Sequence, residues 1–220
     1  MYADRLFNAL ERNEPAPGQL LVAAPDILVP HYNRSVVLIT EQHAGRTYGV
    51  DLTMRSEMAV FNVMPEWLPA VAKPQALYIG GPHNQQAALG VAMTRQGVDI
   101  EKYPALSRLA PRLAMVDLRV GPEEITELVD GMRLFAGHFE WGPGELEEEI
   151  DRGDWYVAPA LPQDVVSSGS TDTWSDVMKR QAMPFPLFST FPRYIDEDNL
   201  CPCVRRELTF LPCVRRLSRR

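Results

Sequence analysis

The sequence predicts an α+β fold: a single compact domain with a mixed, largely antiparallel sheet and flanking helices. Three observations carry this expectation. SVVLIT (35–40) and TYGVDLT (47–53) are β-rich runs joined by a short turn containing Gly45, the pattern of a hairpin. Two acidic segments, after Gly121-Pro122 and after Gly142-Pro143, each read as a helix closed by a glycine. Strands and helices then interleave without a βαβ rhythm, which argues against a doubly wound parallel sheet.

Taken in order, Tyr2–Asn13 places Leu6, Phe7 and Leu10 on one helical face, with Glu14-Pro15 as its end. Gly18 leads into LLVAAP, a continuous apolar run that suits a buried strand, and the hairpin follows. Residues 57–72, interrupted by Pro65 and Pro69, read as helical or irregular. ALYIGG (76–81), ALGVAM (88–93) and LAMVDL (113–118) resume the strand pattern. In the first acidic helix Ile125, Leu128 and Val129 form the apolar face and Gly131 the stop; in the second Leu146 and Ile150 face inward and Gly153 is the stop. Acidic residues in a first turn meet the positive end of the helix dipole. RLFAG (133–137) and WYVAPA (155–160) read as strands, and TWSDVMKRQ (173–181) as a last helix before PLFST (186–190). No Ser/Gly linker divides this body, so the expected organisation is one domain over 1–195 and a tail over 196–220.

A 220-residue chain can bury roughly 70% of its unfolded surface, so it needs no metal or disulfide to fold. No run approaches the ~18 apolar residues of a spanning helix, and the opening residues lack the basic-then-apolar order of a signal peptide. A cytoplasmic protein without a membrane span is expected.

The formal charge of −7 is unevenly spread: residues 201–220 carry +5, the first 200 residues −12, and 121–154 alone −9. An acidic body repels phosphate backbones, so nucleic acid is a disfavoured partner for it. Only the tail, with Arg205, Arg206, Arg215, Arg216, Arg219 and Arg220, has the right sign. The three cysteines, Cys201, Cys203 and Cys213, also fall there, leaving the body without a disulfide or a catalytic thiol. PCVRR occurs twice in the tail at a ten-residue spacing, too few copies for a solenoid, and the segment is expected to be poorly ordered.

Most enzyme signatures are missing: no G-x-S-x-G elbow, P-loop, G-x-G-x-x-G or H-E-x-x-H. His31, His43, His83 and His138 are scattered, and none pairs with another four residues away. His138 beside Glu140 has the makings of a general base, but no nucleophile accompanies it. The run Glu145, Glu147, Glu148, Glu149 and Asp151 reads first as a solvated helix face. Neither a catalytic residue nor a metal or cofactor is assigned. Two segments remain as ligand-binding candidates. Gly80-Gly81-Pro82 after a strand is either a tight turn or a close-approach nest for an anion. FAGHFEWGPGE (135–145) contributes His138, Trp141, Gly142, Gly144 and Glu145, and is either an aromatic plug with glycine turns or a pocket at a helix N-terminus.

The segments GQLLVAAPDILVPHYNRSVVLITEQHAGRTYGVDL (18–52), YIGGPHNQQAALGV (78–91), RLFAGHFEWGPGELEEEIDRGDWYV (133–157) and STFP (189–192) resemble, in this order, the YqgE/AlgH family of small bacterial proteins. The resemblance covers roughly 16–200 and implies a compact single domain, mostly of unknown function, with a transcriptional-regulator label on one branch. It transfers no catalytic residues. The family's commonest residues fall here on Gly80, Gly81, Pro82, Trp141, Gly142, Gly144, Glu145 and Leu146, with Glu145 standing where many members carry Gln. The sequence departs from the family at Asp51–Ser56, where members show Asn-Arg-Pro, and in the tail. The implied function is non-catalytic binding or regulation through a protein or small-molecule partner. The alternative is a small-molecule enzyme with a pocket between the two glycine-rich segments.

Overall fold

The computed structural model describes residues 14–25, 27, 32–167 and 172–191. The elements are β1 (Gln19–Ala23), β2 (Val36–His43), β3 (Arg46–Asp51), β4 (Arg55–Ala59), β5 (Ala76–Ile79), β6 (His83–Thr94), β7 (Leu106–Ala110), β8 (Leu113–Val116), α1 (Pro122–Thr126), β9 (Val129–Trp141), α2 (Glu145–Arg152), β10 (Trp155–Pro159), α3 (Pro162–Val166), α4 (Thr173–Lys179) and α5 (Phe185–Phe188). Short 3-10 turns occupy Val60–Asn62, Pro65–Trp67 and Ile100–Lys102. All these elements belong to the unit that ends at Ser189. The helix expected over Tyr2–Asn13, and the tail with its cysteines and arginines, lie outside the described residues.

The strands form one sheet in the order β10-β1-β2-β3-β9-β6-β8-β7, with β5 also pairing β9 and β4 pairing β5. Every pairing is antiparallel except β5 with β9, where Tyr78 and Ile79 run parallel opposite Phe135 and Ala136. The sheet curls. Six strand steps separate β1 from β7, about 29 Å if the sheet were flat. Yet a Cβ on Gly18, just before β1, would lie 2.0 Å from the Leu109 carbonyl oxygen of β7.

Curling gives the sheet an inner and an outer face, and both are covered. Leu20, Val22, Leu38 and Val50 from one half meet Val91, Leu113 and Phe135 from the other inside the curl, where Val165 of α3 and Trp174, Val177 and Met178 of α4 close the core. On the outer face Leu21, Ala23, Val37 and Ile39 pack with Phe139, Trp141, Leu146 and Trp155. Farther round, Ala92, Ala114, Met132 and Leu134 pack beneath Val60, Trp67, Ile100 and Ile125. Two-sided burial explains why β1 and β2 are continuous apolar runs rather than alternating ones. Each fully buried Val, Leu, Ile, Phe or Met among them contributes about 1.5–3 kcal/mol relative to exposure.

The expected hairpin is present, with Leu38 opposite Val50 and Ala44-Gly45 at its turn. The expectation for 121–131 needs correction. α1 ends at Thr126, and Val129 and Gly131, read as helix face and stop, lie in β9. Segment 57–72 also differs, beginning inside β4 before its two 3-10 turns.

Buried polar groups pin the helices to the sheet. Arg34 lies over the Trp174 ring at 4.2 Å and pairs with Asp172, whose other oxygen caps α4 through the Ser175 N–H at 3.2 Å. The Trp174 indole N–H donates to Ala23 O at 2.8 Å. Arg180 grips both oxygens of Asp164 at 2.5 and 2.6 Å, joining α4 to α3. Arg133, 1% exposed, has main-chain acceptors: Nε donates to Val165 O at 2.7 Å and Nη1 to Pro74 O at 3.1 Å, while Nη2 reaches Ser167 O. Its guanidinium also lies 4.5 Å from the Tyr78 ring centre, and burial pulls its pKa down. The Arg133 bonds satisfy carbonyls at the C-terminus of α3 that the helix itself leaves unpaired.

Candidate functional site

β9 carries His138 and Trp141 of the predicted site residues and the others lie beside it or just beyond its end, and its alternation breaks at Gly137. Strict alternation would put 137, 139 and 141 on the same side as Phe135. Instead Phe135 faces the inner core, while Phe139 and Trp141 face the outer one. Gly137 has φ +72° and absorbs the change of side, and the register against β6 jumps from Ala136–Ala88 to His138–His83. His138 and Glu140 thereby join Phe135 on the inner side. Tyr48, directly opposite Glu140 on β3, stands two residues from the inner-core Val50.

Gly80 and Gly81 lie against this break. The Gly80 N–H donates to Ala136 O and its carbonyl accepts from the Asp51 N–H, at 2.8 and 2.9 Å. A Cβ on Gly80 would fall 2.3 Å from Gly137 O, and one on Gly81 would fall 2.2 Å from the carbonyl carbon of His138. The glycines are needed because two main chains cross in contact. The space beside them is filled by β9 itself, and Pro82 is exposed at the turn into β6.

At the same end of the inner face a polar rim assembles. The His83 and His138 rings are 6.2 Å apart and inclined by 33°, and Tyr48 meets His138 edge-on at 5.6 Å. Glu140 Oε2 lies 3.9 Å from His138 Nε2, beyond hydrogen-bond length, and the carboxylate is paired with Arg46. Burial lowers the His138 pKa, the neighbouring His83 lowers it further, and Glu140 opposes both. That direction favours the neutral imidazole, which accepts one hydrogen bond and donates another. Among the described residues no group of three His, Cys, Asp or Glu is arranged to hold a metal ion.

The other half of the predicted segment serves the outer face. The Trp141 and Trp155 indole N–H groups both donate to Glu149 Oε2, at 2.9 and 2.7 Å. Trp141 stacks on Phe139 at 5.4 Å, and Tyr32 packs against Phe139 and Trp155. Burial, and then the Glu149 charge, raise the Tyr32 pKa. Gly142 N–H donates to Glu145 Oε2 at 2.6 Å, and Gly144 adopts φ +82° at the start of α2. The Glu145 carboxylate thus closes the turn that launches its own helix, while Glu147, Glu148 and Asp151 are exposed.

The structure therefore brings Gly80, Gly81 and Pro82 beside His138, and Trp141, Gly142, Gly144 and Glu145 beside one another, but on opposite faces of β9. His83, Tyr48, Glu140, Arg46 and Glu149 were not among the predicted site residues. Only the register that sets residue 83 against 138 and 48 against 140 gathers the rim. Glu149 belongs to the run expected to be a solvated helix face; the two indoles it serves come from Trp141 and Trp155 on β9 and β10.

A buried carboxylate lies nearby. Asp51, at the end of β3, is fully buried, and its Oδ1 accepts from the Thr53 N–H and hydroxyl at 2.7 and 2.6 Å. Burial raises its pKa despite these bonds. It opens the stretch in which the sequence departs from the family pattern.

Comparison with known proteins places this architecture. A family model described as AlgH-like, DUF179, matches residues 20–186. A UPF0301 protein of Corynebacterium efficiens is 60% identical over 191 residues, covering 87% of this chain and 95% of that protein. A UPF0301 protein of Mycobacterium tuberculosis is 46% identical over 175 residues, covering 80% of this chain and 87% of its own length. A crystal structure of a Corynebacterium diphtheriae protein superposes with a TM-score of 0.83 at 63% identity, covering 87% of this chain and all of that one. The solution structure of AlgH from Pseudomonas aeruginosa, at 18% identity, shares the fold with a TM-score of 0.59, over 84% of this chain and all of that one.

Proposed function

The chain belongs to the AlgH-like DUF179 family, and from that premise we propose that it is a cytoplasmic binding protein that regulates through a protein partner rather than by catalysis. One observation carries the reading: the groups an enzyme pocket would have needed are divided between the two faces of β9. His138 looks inward, whereas Glu145 is committed to the Gly142 amide on the outer side. Charge favours a protein over nucleic acid as the partner. α2 presents Glu147, Glu148 and Asp151 to solvent and α1 presents Glu123 and Glu124, a surface that attracts basic proteins and repels phosphates.

The test is an electrophoretic mobility shift with duplex DNA at low and physiological salt. It compares the full chain with a variant in which Arg205, Arg206, Arg215, Arg216, Arg219 and Arg220 are replaced by Gln. The variant should give no shift at physiological salt; a salt-resistant complex would defeat the reading. A second reading, a small-molecule site, is favoured by His138, whose pKa burial lowers, beside Glu140 and Tyr48 at the rim. A thermal-shift screen against metabolites addresses it, because a ligand present at a hundred times its Kd adds about 2.7 kcal/mol to stability.

A further inference from the structure

β4 lies at an edge of the sheet, with a bulge in its register between Arg55 and Ala59. Among the described residues it pairs with β5 alone, so its other edge is open. Open edges usually carry charges, proline or a bulge, which discourage pairing with a second chain, and β4 has the charges of Arg55 and Glu57 and the bulge, but no lysine or proline. Beside those charges it exposes apolar surface: Met54 and Met58 are 41% and 50% exposed, and Phe61 and Val63, just beyond it, are 63% and 45% exposed.

The backbone fixes which residues could pair outward. The Ile79 N–H bonds to Met54 O at 2.8 Å and the Val60 N–H to Gln75 O at 3.0 Å, which turns the even-numbered residues toward β5. The Ser56 hydroxyl also faces that way, donating to Leu77 O at 2.7 Å. Arg55 and Glu57 are left to direct their main-chain groups outward. The Arg55 N–H reaches only Thr53 O, two residues back, at 3.1 Å.

The sequence across this edge, Met54-Arg55-Ser56-Glu57-Met58, is self-complementary about Ser56. We propose that β4 is the seam of a symmetric homodimer, two copies pairing antiparallel with Ser56 on the two-fold axis. Arg55 of each chain then faces Glu57 of the other, Met54 faces Met58, and the outward N–H and C=O groups of Arg55 and Glu57 complete the ladder. An isologous interface requires this reciprocity. The neighbouring registers that keep the outward groups in line are centred on Arg55 or Glu57 and set like charges directly opposite each other, so charge selects the Ser56 register. Phe61 and Val63 extend the apolar surface beside the seam. This inference is independent of the regulatory reading, which concerns a different partner.

The test is sedimentation velocity of the full chain over a concentration series, with circular dichroism confirming that each variant is folded. The wild type should sediment as a concentration-dependent dimer. R55E and E57R should each be monomeric, because each faces like charges across the axis. The double variant R55E/E57R restores both pairs and should dimerise again, as should an equimolar mixture of the two single variants. A wild type that stays monomeric throughout would overturn the proposal. So would single variants that dimerise as well as wild type, or a folded double variant that remains monomeric.

Discussion

Gly137 and Gly81 touch through their main chains: a Cβ on Gly137 would stand 2.7 Å from the Gly81 carbonyl oxygen. The contact holds the turn after β5 against the point where β9 changes sides. Gly137→Ala should destabilise by about 3 kcal/mol, combining overpacking against backbone with a left-handed φ. Gly144 has a similar φ, +82°, with nothing within 4 Å of where a Cβ would stand, so Gly144→Ala should cost only about 1 kcal/mol. Urea denaturation of both variants checks the difference; equal losses would mean that conformation, not contact, sets the requirement at 137.

Glu149 holds two indoles with one oxygen. Glu149→Gln keeps an acceptor and should lose about 1 kcal/mol, whereas Glu149→Leu strands two indole N–H groups and should lose about 2–4 kcal/mol. Since the Glu149 charge helps to raise the Tyr32 pKa, Glu149→Gln should also bring that titration down toward the ordinary tyrosine value. Ultraviolet difference absorbance at high pH reads the shift directly.

His138 should titrate below the ordinary histidine value, because burial and His83 outweigh Glu140. Its contribution to stability is then present above the unfolded pKa of about 6.5 and is lost as pH falls through the folded one. His83→Gln should raise the His138 pKa, and Glu140→Gln should lower it further. Imidazole proton shifts followed by NMR distinguish these outcomes, and an unmoved His138 in both variants would refute the coupling.

Arg133 is a clasp for main chain. Arg133→Met leaves carbonyls of Val165, Pro74 and Ser167 without their donor and should cost roughly 3 kcal/mol. Hydrogen exchange should quicken first in α3 and around residues 74–76, before global unfolding. Uniform acceleration across the sheet would instead place Arg133 in the global stability alone.

The parts of the fold legible in sequence were those where local chemistry and tertiary packing agree. The hairpin at 36–51 has β-rich runs and a glycine turn, and α2 has its Gly-Pro start, acidic first turn and Gly153 stop. β9 was partly hidden because Ile125, Leu128 and Val129 fall at helical spacing, although the helix gives out at Thr126. β4 and β7 were missed altogether: RSEMA and LSRLA lack a buried stripe because each lies at an edge of the sheet. The glycine-rich segments were visible as unusual but ambiguous. Telling a ligand nest from a crossing of two main chains needs the distance between Gly81 and His138, which no local pattern contains. The rim needed still more, since His83 and His138 are 55 positions apart and meet only through the β6–β9 register.

The side change in β9 makes residue count as consequential as residue type. Gly137 works as a phase shifter: the two halves of β9 keep time separately on either side of it, while the surplus residues of the register break, between His83 and Ala88, belong to β6. Losing a residue within 138–140 while the shifter stays would transpose whatever follows, turning Trp141 into the curl and away from the Glu149 carboxylate. Losing Gly137 itself would leave every neighbour on its present side and remove only the slack between the halves. Deletions one position apart should therefore differ in kind: one exchanges the inner and outer sides of the strand, and the other merely straightens it.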